Sequence, residues 1–361
     1  MNLFAGLGRT APSMLMAGSH QSCSTDAGLA YGFRELGWDV AEVSVYDGLI
    51  LSEILALRTA AKLIAPLSKR SFNTAILNEA RRLRPDILFA VKGTFIAKST
   101  VIMLREWGIP TVIFYPDYRL QYPGLDEGML DACDLIITSK SFQVPYLVER
   151  MGEGRVAFVH HGYVPAVHRR RTPEGATLEY LWDVSYVGNA SPSKVEWLVD
   201  VARHIGDRRF IVVGHRWMEA AKGTPLEPFI LGHGLAGDHF ARVIEHSRIN
   251  IAFHMGKGGS QGWEDLVSTR TFEIPASGGF MLHIDNPEVR SLFKVPEEID
   301  VFSNIDELNA KIDYYLEHPN ERIAMMERAS RRCVPAYSLG ARAREIAELL
   351  AARGICGLPE W

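Results

Sequence analysis

Short apolar runs alternate with longer amphipathic stretches along most of this chain, and the alternation predicts parallel sheets covered by helices. SMLMA (13–17), VAEVSVY (40–46), DILFAV (86–91), TVIFY (111–115), LIIT (135–138) and VAFV (156–159) read as strands, with helical spacing over 26–36, 50–83, 98–107 and 141–151. Gly37 stops the first helix and Pro85 closes the second, whose basic last turn suits the negative end of a helix. Strands that are apolar at nearly every position are buried on both faces, the condition of a parallel sheet between helical layers.

The second half repeats the arrangement. Strand patterns recur at DVSYVG (183–188), FIVVG (210–214), FILG (229–232), NIAFHM (250–255) and GFMLHI (279–284), with helical stretches at 192–204, 237–247, 305–317 and 320–334. VHRRRTPEGATLEYL (167–181) is polar, charged and broken by Pro and Gly, so it reads as a linker. The expected organisation is an N-terminal domain over 1–166, that linker over 167–181, a C-terminal domain over 182–334, and a terminal segment 335–361. The amphipathic helix of that last segment (337–354) is expected to pack back across the domain junction. The expected fold class is α/β, with two Rossmann-like domains facing across a cleft. Ligands of such sheets bind beyond the carboxyl ends of the strands, so the residues that follow each strand matter most.

Composition removes several classes. With 361 residues, 47% hydrophobic and 23% charged, the chain suits two ordinary globular domains. A net charge of −4 gives no electrostatic case for nucleic acid. Cys23, Cys133, Cys333 and Cys356 form no CxxC pair, which fits reduced thiols rather than a zinc framework or a disulfide scaffold. The opening residues lack the basic-then-apolar order of a signal peptide, and no window approaches ~18 uninterrupted apolar residues. The expected location is cytoplasmic. The run Arg169, Arg170, Arg171 suits a solvated linker and leaves weak peripheral contact with anionic lipid open.

Chemistry concentrates in STRTFEIPASGGF (268–280). Ser268 or Thr269 suits a helix N-cap, and a short helix through Glu273 places Arg270 and Glu273, three apart, on one face. A helix start offers backbone N–H groups to a diphosphate, with Thr271 in that first turn and Arg270 adding a two-pronged contact. Glu273, an acceptor-only group when ionised, suits paired ribose hydroxyls. Pro275 predicts a short or kinked helix, and Gly278 and Gly279 let the chain turn into the next strand. The competing reading of Arg270 and Glu273 is a plain surface ion pair.

The segment RTFEIPASGGF closely resembles the carboxyl-terminal domain of glycosyltransferase group 1 enzymes, and most of all the branch containing spore maturation protein CgeB. The resemblance runs from about Asp183 to Ala343 and implies the GT-B architecture, a nucleotide-sugar donor and a ribose-binding role for Glu273. Many of those enzymes carry two acidic residues separated by seven others. Asp265 stands at that spacing before Glu273, in the context QGWEDLVS rather than Glu-Gly-Phe-Gly.

Further candidates follow other strands. VGNASPSK (187–194) offers Gly188 and Asn189 for close backbone approach and Lys194 as a point charge for phosphate, against the alternative of an ordinary capped turn. HMGKGGSQG (254–262) is Gly-rich without the order of a Walker A motif, and FILGHG (229–234) is a place where related enzymes contact the nucleobase. In the first half, His20 in MAGSHQS, Asp117 in YPDYR and His161 in HHGY are the candidate catalytic groups, each with a structural role as the alternative.

Together these readings describe a hexosyltransferase-type enzyme that moves a sugar from a nucleotide-diphosphate sugar to the hydroxyl of an unidentified glycan, protein or small-molecule acceptor. No cofactor and no metal are expected, since Arg270 and Lys194 would carry the leaving diphosphate's charge. The resemblance implies retention of configuration. The rivals are a nucleotide-sugar epimerase on the same frame and a non-catalytic glycan-binding or assembly protein. A dehydrogenase is disfavoured because no Gly-x-Gly-x-x-Gly follows the first strand of either half.

Overall fold

A computed structural model describes residues 11–357 apart from 22, 49–54, 121–123, 174–176, 233, 236 and 255–261. The chain forms two compact units, Met1–His161 with Leu339–Trp361, and Gly162–Ser338. Each is a Rossmann-like α/β domain built on a six-stranded sheet, and every strand pair is parallel.

The first unit holds β1 (Ser13–Gly18), β2 (Asp39–Ser44), β3 (Ile87–Val91), β4 (Thr111–Tyr115), β5 (Leu135–Thr138) and β6 (Val156–Phe158), in the order β2-β1-β3-β4-β5-β6. The order reverses between β1 and β3, so the crevice at the carboxyl ends lies after Gly18 and Val91. The last helix, Leu339–Ala352, returns to this unit and packs on the first helix, Thr25–Glu35. Gly32 makes that approach possible, since a Cβ there would fall 2.8 Å from both the Ala343 Cβ and the Gly340 Cα.

The second unit holds β7 (Trp182–Val187), β8 (Phe210–Val213), β9 (Ile230–Leu231), β10 (Ser247–Ala252), β11 (Met281–Ile284) and β12 (Asp300–Phe302), in the order β12-β11-β10-β7-β8-β9. Its switch point falls between β7 and β10. Val184 and Tyr186 face one apolar core while Val187 faces the other, so β7 is buried on both sides. Between the two central strands the Ser185 hydroxyl donates to Asn250 Oδ1 at 2.9 Å, and the Asn250 amide donates to the carbonyls of Ile244 and Phe280. That buried pair is satisfied and fixes the register Ser185 opposite Asn250.

The structure changes the sequence reading in four places. β12 was not expected, because its first residue is charged; Asp300 is nonetheless buried, held by Lys311 and by the Tyr315 hydroxyl. β10 starts at Ser247, directly after a helix that ends at Glu245, rather than at residue 250. Short helices at Glu127–Ala132, Trp217–Ala220 and Pro287–Leu292 carry too few turns to leave a periodic pattern. Residues 167–173, within the polar stretch read as a linker, are tied into the second unit. The backbone N–H groups of Arg171 and Thr172 both donate to the Glu245 carboxylate, at 2.9 and 2.7 Å.

Replacing Gly32 with Val should overpack the contact between the first and last helices and destabilise the protein by ~1–3 kcal/mol. Urea unfolding of the variant measures this. An unchanged midpoint would show that the two helices do not pack at this glycine.

Candidate functional site

Two cations gather at the carboxyl end of β7, as Arg248 and Arg322 do over the Tyr180 ring near its start. Gly188 follows the strand, and a Cβ on it would lie 2.7 Å from Arg270 Nη1 and 2.9 Å from the Tyr186 hydroxyl. Only glycine therefore lets the guanidinium lie against this turn. Lys194, in the first turn of the helix Pro192–His204, is 5% exposed, and its ammonium donates to the Asn189 carbonyl at 3.1 Å. The Lys194 Nζ and the Arg270 guanidinium carbon stand 6.0 and 5.9 Å from the centre of the Tyr186 ring. Phe253 stacks on that ring at 4.8 Å and Trp217 meets it edge-on at 5.8 Å.

The electrostatics of this cluster are unbalanced. Burial pushes the Lys194 ammonium down to about 7, the nearby Arg270 charge adds to the fall, and Asp265 opposes it. Burial raises the Tyr186 phenol, with Arg270 opposing. Arg270 Nε and the Tyr186 hydroxyl are both buried without a hydrogen-bond partner. An unpaired buried donor costs about 1–3 kcal/mol. Two cations and two unpaired donors with so few acceptors make a cradle for an anion.

Arg270 and Glu273 belong to the helix Arg270–Ala276. Thr269 is already helical at φ −55°, ψ −37°, and makes no side-chain cap. The N–H groups of Thr271, Phe272 and Glu273 bond to the Ser268 and Thr269 carbonyls. The expectation that this first turn presents open N–H groups fails at those three positions, because a preceding turn uses them. The helix ends as Pro275 and the glycines foretell. Gly278, at φ +75°, donates to the Pro275 carbonyl, and Gly279 donates to Ile274. Gly278 and Gly279 are thus at the far end from Arg270, and a Cβ on Gly279 would meet Ile244 and Asn250 at 2.6 and 2.7 Å.

Glu273 does not pair with Arg270. One of its oxygens accepts from the Thr269 hydroxyl at 3.0 Å, and the other lies 3.7 Å from His168 Nε2, with the side chain 14% exposed. That arrangement disposes of a surface ion pair within the helix. Thr271 is fully buried, and its hydroxyl meets His283 Nε2 at 3.0 Å. His283 Nδ1 lies 2.6 Å from the Ile284 carbonyl and must donate to it. Its Nε2 is therefore the acceptor, shared by Thr271 and by His254 Nε2 at 3.0 Å. Burial is the main cause that pushes His283 down to about 4, so the ring stays neutral and able to accept.

In the first unit the candidates take other positions. The Asp117 carboxylate pairs with Lys92 at 3.0 Å at the ends of β4 and β3, and the Gln143 amide donates to the Asp117 carbonyl at 2.8 Å. His161 Nε2 meets the Thr25 hydroxyl at 3.0 Å, at the start of the first helix. His20 approaches the same helix start, its backbone N–H donating to the buried Asp26 carboxylate at 2.6 Å. His20 Nε2 meets the Met16 carbonyl at 3.1 Å, while Nδ1 lies 3.0 Å from Glu42 without a hydrogen bond. Most of the Gly-rich loop 254–262 lies outside the described residues, as does His233 of FILGHG.

His168, Tyr186, His254 and His283 were missed in the sequence. Tyr186 and His283 sit inside strands where an aromatic ring reads as core, and His168 is 105 positions from Glu273 with no spacing to betray the contact. An open hollow lined by Asp183, His204, Arg208 and Asp313 lies at the other end of β7. Its charges pair with one another, Asp313 taking both His204 and Arg208, so it is not an anion cradle.

Residues 192–348 match the glycosyl transferase-like family. The matched stretch begins in the Lys194 helix, includes Arg270 and Glu273, and runs into the last helix. No curated protein matches the chain. Among solved structures, sucrose-phosphate synthase from Thermosynechococcus elongatus is similar at 12% identity and TM-score 0.64, over 94% of this chain and 98% of that one. HepE from Anabaena, solved with UDP-glucose, is similar at 12% identity and TM-score 0.61, over 94% and 99%. A putative UDP-N-acetylglucosamine 2-epimerase from Listeria monocytogenes is similar at 11% identity and TM-score 0.60, over 97% and 99%. These likenesses establish the fold, two Rossmann-like domains of the GT-B kind. Among the described residues no helix is long and apolar enough to cross a membrane.

Two outcomes follow for stability. His283 titrates lower in the folded state (about 4) than its ordinary value of 6.5. Between those values the unfolded chain binds the extra proton, so stability is intact above pH ~6.5 and is lost as pH falls toward 4, by about 3 kcal/mol. Denaturant titration across that range should show the loss, reduced in His283→Gln. Lys194 is also lowered, to about 7. The unfolded chain again holds more protons above that value, and stability rises as pH climbs from 7 toward 10.5. Lys194→Met should accordingly melt higher than the parent at pH 7 without ligand. A lower melting point would mean that the buried ammonium is not a burden.

Proposed function

We propose that this protein is a glycosyltransferase that takes its sugar from a nucleoside-diphosphate donor bound in the second unit. The observation that carries the reading is the pair of cations, Lys194 and Arg270, over the Tyr186 ring beside Gly188. Their place is the carboxyl end of the strand at the switch point, where open parallel sheets bind ligands. A diphosphate supplies the charge and the acceptors that this cluster lacks. It would give Arg270 a two-pronged partner and favour the ammonium form of Lys194.

Glu273 takes the ribose hydroxyls in this reading, one helical turn from Arg270. The likeness to the glycosyl transferase-like family supports the assignment, as does the resemblance of RTFEIPASGGF to the group 1 enzymes. HepE, which shares the fold, was solved with UDP-glucose, and we take a uridine nucleotide as the first donor to try. In the reaction the bond from the anomeric carbon to the diphosphate breaks and the acceptor oxygen forms the new one. Lys194 and Arg270 would stabilise the charge that develops on the leaving diphosphate, with transfer in the retaining sense and without a divalent ion. Acceptor handling belongs to the first unit in this scheme, with Asp117 as its carboxylate and His161 and His20 beside the first helix.

The epimerase reading keeps one specific support, the fold shared with the Listeria enzyme. Incubating the protein with UDP-sugars in the absence of acceptor separates the two, since an epimerase converts the donor alone.

Thermal-shift measurement with UDP-, GDP- and dTDP-sugars tests the donor site. At least one should raise the melting temperature, since ligand bound only to the native state stabilises it. Glu273→Ala should reduce the shift, and Arg270→Ala should weaken binding by ~10-fold or more, the scale of a lost charge-assisted hydrogen bond. A folded protein that responds to no nucleotide sugar would overturn the proposal.

A further inference from the structure

Glu273 is flanked on two sides, and one of its neighbours comes from the polar stretch after the first unit. His168 is only 6% exposed. Its Nδ1 accepts the Val164 backbone N–H at 3.1 Å, so in the neutral ring the proton sits on Nε2. Burial keeps the ring's pKa below its ordinary value, with the Glu273 charge opposing and the Arg171 charge adding to the fall. The Nε2–H therefore faces Glu273 Oε1, 3.7 Å away, while the Thr269 hydroxyl donates to Oε2 at 3.0 Å.

The ring has little freedom to turn elsewhere. Phe240 meets it edge-on at 5.5 Å and 77°. The backbone of His168 donates to the Val164 carbonyl at 2.8 Å. Three residues on, Arg171 ties the segment down by donating to the Val167 and Arg169 carbonyls and to Asp238. Each carboxylate oxygen accepts about two hydrogen bonds, so one position on each can be claimed from behind and one left open.

We propose that His168 is a positioning residue whose Nε2–H aims the Glu273 carboxylate at the ribose hydroxyls of the nucleotide. The inference rests on the ribose role given to Glu273 above. The separation of 3.7 Å is longer than a hydrogen bond. It closes with a small rotation of the glutamate when a diol draws the carboxylate into line, as unliganded sites commonly tighten on binding.

The test compares UDP with 2′-deoxy-UDP by titration calorimetry, because the ratio of the two affinities reads the carboxylate's aim and ignores a general loss of stability. The parent should favour UDP by ~10-fold, the scale of one charge-assisted hydrogen bond. Glu273→Ala should bring the ratio near one. His168→Phe, and His168→Asn as a smaller change should the first fail to fold, should bring it within ~3-fold of one. His168→Gln, whose amide places a donor near the Nε2 position, should restore most of the preference. A ratio lost in Glu273→Ala but kept in His168→Phe and His168→Asn overturns the proposal alone. A parent that does not distinguish the two nucleotides, or a Glu273→Ala variant that still does, overturns the ribose reading with it.

Discussion

Two like charges share one aromatic ring in the second unit, and much of what surrounds them serves that arrangement. Lys194 and Arg270 repel each other, and among the described residues neither has a carboxylate partner at hydrogen-bond distance. Such a pair persists only because the surroundings over-determine it. The Tyr186 ring offers its negative face, the Asn189 carbonyl accepts a hydrogen bond from the lysine, and Gly188 removes the one atom that would push the guanidinium away. Tyr186 in turn is fixed by Phe253 and Trp217, so the cradle stands on the apolar core beneath it.

The helix Arg270–Ala276 serves both halves of a nucleotide in the proposed reading. Its seven residues are too few to be stable alone, and tertiary contacts hold it. Thr271 ties its start to His283 in β11, Gly278 and Gly279 turn its end, and Gly279 closes onto Ile244 and Asn250. Asn250 also meets Ser185 in β7, the strand that carries Tyr186. The switch point, the cation cradle and the helix are therefore one packed assembly, and each depends on buried polar groups finding specific partners.

Burying a lysine beside an arginine, leaving a phenol unpaired and keeping a histidine neutral in the interior all lower the stability of the unliganded protein. A chain selected only for its fold would gain by replacing these groups with apolar ones. The amino end of β7 carries a second such pair, Arg248 and Arg322 over the Tyr180 ring, but there Asp183 and the Tyr315 carbonyl supply acceptors.

The sequence by itself determined the α/β class, eleven of the twelve strands among the described residues, and the closeness of Arg270 to Glu273 in the chain, because apolar period and glycine or proline punctuation are local properties. It also pointed to Lys194, Gly188 and Asn189, since they follow a strand directly. It missed β12, where buried Asp300 disguised a strand. What only the tertiary structure decided is which partners those groups meet. Arg270 lies over Gly188, 82 positions away; Glu273 accepts from Thr269 and faces His168 instead of pairing with Arg270; and His20 Nε2 is spent on the Met16 carbonyl. Pairings across such distances arise from the crossing of strands and helices, which leaves no period in the chain. The charge on a side chain is written in its residue type, but the acceptor it finds or lacks is settled by packing.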